Sequence, residues 1–154
     1  MKKRVPWLIA LLFMGLAVSA VVGLFESVVD ALPMIVSFQS LILGMAGNVG
    51  TQSLAVTVRT LGSSEENSGK EQFLTIMKEV RIALSNGLVL GAISFAIVSA
   101  YLFLFGSYTA AFVLSAAGCV GLAMCFAMAI SGFTGAAIPI SLYRLGIDPA
   151  VASG

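Results

Sequence analysis

The sequence predicts an all-α integral membrane protein with about four transmembrane helices, and three observations predict it. The first is composition. Of the 154 residues, 59% are hydrophobic and only 10% are charged, and the mean hydropathy is +1.06. A soluble domain needs far more charge to cover its surface. The second is the length of the uncharged runs: residues 5–24 and 31–58 carry no charge, and after Arg81 the next charged residue is Arg144. A helix crosses a hydrocarbon core of about 30 Å in about 20 residues, and it satisfies its own backbone groups, as lipid requires. The third is the placement of the eight Lys and Arg residues. Lys2, Lys3 and Arg4 precede the first run; Arg59, Lys70, Lys78 and Arg81 lie between the second and third; Arg144 follows the fourth. With four spans all of them fall on one side, while the connector over residues 25–33 holds Glu26 and Asp30 and no basic residue. The positive-inside rule then makes the N-terminus cytoplasmic, in the cell (inner) membrane.

Taken in order, the first span opens with Pro6, which a first helical turn tolerates, and Trp7, which suits the interface. The basic start and Val18-Ser19-Ala20 also resemble a signal peptide with its cleavage site. Signal h-regions run roughly 7–15 residues, whereas this run continues to Leu24, so an uncleaved span is the favoured reading. The run over residues 31–58 would extend roughly 42 Å as one straight helix, more than the core requires. At its middle, Gly44, Gly47 and Gly50 stand among polar side chains, which predicts a broken second helix.

Residues 61–70 read as a polar loop. It echoes a phosphate loop, but the spacing is wrong and Glu71 stands where Ser or Thr is needed, so nucleotide binding is rejected. An amphipathic stretch follows, with Phe73, Ile76, Met77 and Val80 on one side and Lys70, Glu71, Lys78, Glu79 and Arg81 on the other. It predicts an interfacial helix. The third span, over residues 82–104, carries Gly87-x-x-x-Gly91, a close-packing motif. Beyond a turn at residues 105–108, the fourth span runs to Tyr143, with Gly132, Gly135 and Pro139 expected to bend it. Near the end, Asp148 is placed to cap a new helix with Pro149 at its first position.

The chemistry this composition excludes is broad. Cys119 and Cys125 are six apart on one helix and so do not share a face, and they form neither a disulfide pair nor a metal motif. The sequence has no histidine, no buried carboxylate pair and no zinc-ligand cluster, which argues against an enzyme. The basic residues mark helix ends and form no nucleic-acid face. What resists a bland reading is the segment over residues 44–53, where Asn48, Thr51 and Gln52 sit near the midplane. A break there must be buried in protein or line a water-filled cavity. Carbonyls ending one half-helix suit a cation, and N–H groups opening the next suit an anion, so geometry leaves the sign open. The alternative is tight packing through glycines, with Asn48 and Gln52 satisfied by neighbours.

Arg4-Val5-Pro6-Trp7-Leu8, Phe25-Glu26, Gly44-Met45-Ala46-Gly47-Asn48-Val49-Gly50-Thr51-Gln52-Ser53, Val58-Arg59 and Asp148-Pro149-Ala150-Val151-Ala152-Ser153 occur in this order. Together they resemble the membrane domain of the MgtE family of magnesium channels and transporters, over essentially the whole of residues 1–154. The resemblance implies a pore domain that works as a homodimer in the lipid bilayer. Its second and fifth helices would line a passive pathway for Mg²⁺ as the transported ion. Mg²⁺ sheds water reluctantly, so carbonyls and amide oxygens at Gly44, Gly47, Asn48, Gly50, Thr51 and Gln52 would suit a hydrated ion. Glu26 reads as a cation collector at the outer entrance or as a solvated helix-end charge. Asp148 reads as a cap, a cytoplasmic cation site, or both. The family's soluble magnesium-sensing and CBS domains have no counterpart in these residues. Its fifth helix, which carries the acidic residue of the ion site, would begin at Asp148-Pro149-Ala150, and the expectation is that a longer chain or another chain supplies it. The rival expectation is a non-conducting membrane assembly that binds a partner through its glycine-rich faces.

Overall fold

Long apolar runs between Gly- and Pro-containing connectors become long helices. The structure, a computed structural model, describes residues 5–27, 33–63 and 68–153, so Lys2, Lys3, Arg4 and Asp30 lie outside the described residues. The elements are α1 (Val5–Gly23), α2 (Pro33–Ser63), α3 (Gly69–Phe105), α4 (Ala110–Arg144) and a short 3₁₀ turn, Pro149–Ser153. All four α-helices are long and apolar enough to cross a membrane. The chain is a multi-pass, all-α membrane protein.

Local chemistry sets the helix ends. The Ser68 side chain accepts from the Glu71 N–H at 3.4 Å at the start of α3, and Thr109 accepts from the Phe112 N–H at 3.4 Å at the start of α4. Each satisfies a donor that a first turn leaves without a helical partner. At the end of α4, Gly146 adopts φ 70°. Its N–H donates to Tyr143 O at 3.1 Å and the Ile147 N–H donates to Leu142 O at 2.9 Å. This is the double closure that a left-handed glycine allows.

Three expectations need correction. α2 is helical without interruption through residues 44–53. The closed helix satisfies the backbone groups of this segment internally, which a membrane span favours over the freedom that its glycines offer. The loop expected over residues 61–70 is shorter, since α2 reaches Ser63 and α3 starts at Gly69. No separate interfacial helix exists among the described residues; the amphipathic stretch is the first part of α3. Its faces are also mixed: Lys70, Glu71, Lys78 and Arg81 are exposed as expected and Ile76 and Val80 are half-buried, but two polar and two apolar positions depart from the pattern. Gln72 and Glu79 are each 5% exposed and turned inward, while Phe73 and Met77 point outward.

α4 is the central element. It packs along α3 and along α2, which scarcely touch each other, and α1 makes only marginal contact with the rest. Small residues permit the closeness. A Cβ on Gly91 would lie 2.7 Å from Gly121 O, and one on Gly87 would lie 3.0 Å from Cys125 Cα, which is the close approach that Gly87-x-x-x-Gly91 predicts. Val98, Leu102, Val113, Ala117 and Val120 fill one cluster of this seam. Val49, Ala83, Met124 and Met128 fill the next. Cys119 and Cys125 are both free thiols.

Candidate functional site

α2 has two faces of opposite kind. Ala46, Val49, Ser53 and Thr57 are buried and repeat every three to four residues, the period of one helix side. They meet α4, where Ser131 Oγ donates to Ala46 O at 2.6 Å. A Cβ on Gly135 would lie 2.5 Å from Gly50 O, so Gly50 belongs to this packed seam. The other side carries Gly44, Gly47, Asn48, Thr51 and Gln52, all exposed. Nothing within 4 Å would meet a Cβ added at Gly44 or Gly47. Thr51 Oγ1 donates to Asn48 O at 2.9 Å, so its hydroxyl offers only lone pairs outward.

This exposed face lies within a span, outside the buried seam between α2 and α4. The unbroken helix keeps its carbonyls in the backbone ladder, so the oxygens it offers most freely are those of the Asn48 and Gln52 amides and the Thr51 hydroxyl. Beside them runs an open cleft of about 300 Å³, bordered by Trp7 and Leu11 of α1, Gly47, Thr51 and Leu54 of α2, and Thr134 and Ile138 of α4. Such a surface suits a polar or hydrated species. Left against lipid, its amides would be costly.

Glu26 and Asp148 are not brought to this cluster. Asp148 caps the final turn, its Oδ1 accepting from the Ala150 N–H at 2.9 Å. It shares a cavity of about 440 Å³ with Pro6, Trp7 and Ala10 at the start of α1. Glu26 is exposed just past the other end of α1, a helix length of roughly 28 Å away. Among the described residues, no group of three or more His, Cys, Asp or Glu could hold a metal.

Sequence reasoning missed a buried polar layer at the basic end of the bundle. Arg144 Nε donates to Gln72 Oε1 at 2.6 Å, joining the end of α4 to the start of α3. Glu79 is buried, and its backbone carbonyl lies 3.3 Å from where a Cβ on Gly132 would stand. The buried series Gln72, Glu79, Ala83, Gly87, Gly91 continues the spacing of the motif backward, which is the signal that would have revealed it.

Comparison with known proteins bears on all of this. The family model MgtE, described as a divalent cation transporter, matches residues 39–154. The magnesium transporter MgtE of Enterococcus faecalis is 39% identical over 152 residues, covering 99% of this chain and 31% of that protein. Its namesake in Bacillus subtilis is 36% identical over 152 residues, covering 99% and 32%. The one in Thermus thermophilus is 30% identical over 150 residues, covering 97% and 31%. The chain thus spans about a third of the length of the curated relatives it matches. All three relatives are named as transporters.

Proposed function

Because this chain belongs to the MgtE family of divalent cation transporters, we propose that it carries Mg²⁺ across the membrane by a passive, channel-like pathway along the outward face of α2. The observation that carries the reading is the exposure of Asn48, Thr51 and Gln52 within a span, outside the buried seam that α2 makes with α4. A face of that kind calls for cover other than lipid, and a second copy of the chain facing it across a pore supplies that cover and the water. The cargo follows that of the relatives, which are magnesium transporters.

The chemistry agrees with the cargo. Mg²⁺ demands near-octahedral oxygen coordination and usually keeps several waters. Amide and hydroxyl oxygens can hold the outer surface of a hydrated ion without a carboxylate on α2. With the basic helix ends cytoplasmic, an inside-negative potential drives the ion inward by about 2.3 kcal/mol per charge per 100 mV, roughly double that for a divalent ion. The cell (inner) membrane supplies that potential. No nucleotide is needed.

The test is Asn48→Leu in an assembly that includes the fifth helix, assayed for Mg²⁺ flux into liposomes and for thermal stability in the same preparation. A pathway role gives reduced flux with stability and assembly unchanged. Normal flux with stability lowered by roughly 1–3 kcal/mol would make Asn48 a packing residue and remove the main support for this pathway.

A further inference from the structure

α3 is 37 residues long, roughly 55 Å as a helix, against a hydrocarbon core of about 30 Å. Counting back about 20 residues from Phe105 to span that core reaches Asn86. The first part of α3 therefore stands in the headgroup layer and beyond it. There, among the described residues, Met77, Lys78, Arg81, Ile82, Ser85 and Asn86 stand along one side of α3 and border a shallow, open groove. All six are exposed, because α3 turns Gln72, Glu79, Ala83 and Gly87 inward instead.

The charge on this groove is one-sided. Lys78 and Arg81 are three residues apart, hence neighbours on the helix surface, and no carboxylate borders the groove among the described residues. Glu79, between them in sequence, is buried on the opposite side. Arg81 offers a planar fork suited to phosphate oxygens, and Lys78 adds a mobile point charge. The Asn86 amide adds further donors. Ser85 Oγ donates to Arg81 O at 2.9 Å, so it does not compete for the anion. Past Asn86 the same side becomes apolar and open, with Leu88 61% and Val89 60% exposed. Two cations at headgroup depth above an apolar strip match an anionic headgroup above its acyl chain.

We infer that this groove is a docking site for an anionic phospholipid, its phosphate held by Lys78 and Arg81 and its acyl chain laid along Leu88 and Val89. The site does not depend on the ion-pathway reading, since it lies on a different helix and would persist in a protein that conducts nothing.

Titration of the purified protein with phosphatidylglycerol or phosphatidylcholine, followed by native mass spectrometry and thermal unfolding, tests it. Phosphatidylglycerol should bind more tightly and raise Tm further. Lys78→Gln with Arg81→Gln should weaken phosphatidylglycerol binding roughly 25-fold, about fivefold per basic residue, and leave phosphatidylcholine unaffected. Lys78→Arg with Arg81→Lys should retain most of the preference, which guards against misfolding of the neutral pair. Lys70→Gln, off the groove, should change little. Equal binding of the two lipids, an equal loss from Lys70→Gln, or the same Tm rise with inorganic phosphate alone would overturn the assignment. So would spontaneous disulfide dimers of Ser85→Cys in a background without Cys119 and Cys125, because a second copy would then occupy the groove.

Discussion

Ser131 and Thr57 are hydroxyls in the same membrane interior with opposite energetic roles. Ser131 bridges α4 to α2 through Ala46 O. Thr57 is fully buried, and its Oγ1 has no partner among the described residues. An interhelical hydrogen bond in a membrane protein contributes about 0.6 kcal/mol on average and at most about 2, whereas a stranded hydroxyl is a cost. Ser131→Ala should therefore lower stability within that range. Thr57→Val should be neutral or stabilising by about 1 kcal/mol. Thermal unfolding in one detergent checks both, and an equal loss from each would mean that Thr57 is bonded in the folded protein. The same contrast explains what the sequence hid here. Asn48 and Gln52, the more polar side chains, turn outward, while Ser53 and Thr57 turn inward, and hydroxyls small enough to pack read like either face.

Helix pairs depend on where glycine is needed and where it is incidental. A Cβ on Gly91 would strike the Gly121 carbonyl, a backbone atom that cannot swing aside, whereas one on Gly118 would meet nothing within 4 Å. Gly91→Ala should force α3 from α4 and cost about 1–3 kcal/mol, as overpacking does. Gly118→Ala should leave stability unchanged or slightly higher. Unfolding midpoints of the two variants, side by side, decide the matter, and equal losses would place the close contact elsewhere. This contact was legible because Gly87 and Gly91 sit one helical turn apart in an uncharged run. The continuity of α2 was not. Three glycines weaken a helix in water by about 1 kcal/mol each, but in lipid the cost of freeing N–H and C=O groups outweighs that preference. Nor could periodicity reveal that α4 is the shared partner, since α2, α3 and α4 all carry small residues.

At the scale of the molecule, the described basic residues gather at one end. Arg144 reaches Gln72 near the start of α3, Lys70 stands beside it in sequence, and Arg59 lies in the last turns of α2. Glu26 lies past the far end of α1. Single cysteines at positions 70 and 26, in a background lacking Cys119 and Cys125, should react with an impermeant reagent from opposite sides, position 26 from outside and position 70 from the cytoplasm. External reactivity at position 70 would end the four-span topology. α1 adds a consequence in time. It buries none of its own residues, so it gains little by waiting for neighbours. During synthesis it can leave the insertion machinery alone and settle in lipid, oriented by the basic residues before it, while α2, α3 and α4 are still unmade. The orientation of these four helices then rests first on the least integrated of them, before there is any bundle for that helix to join.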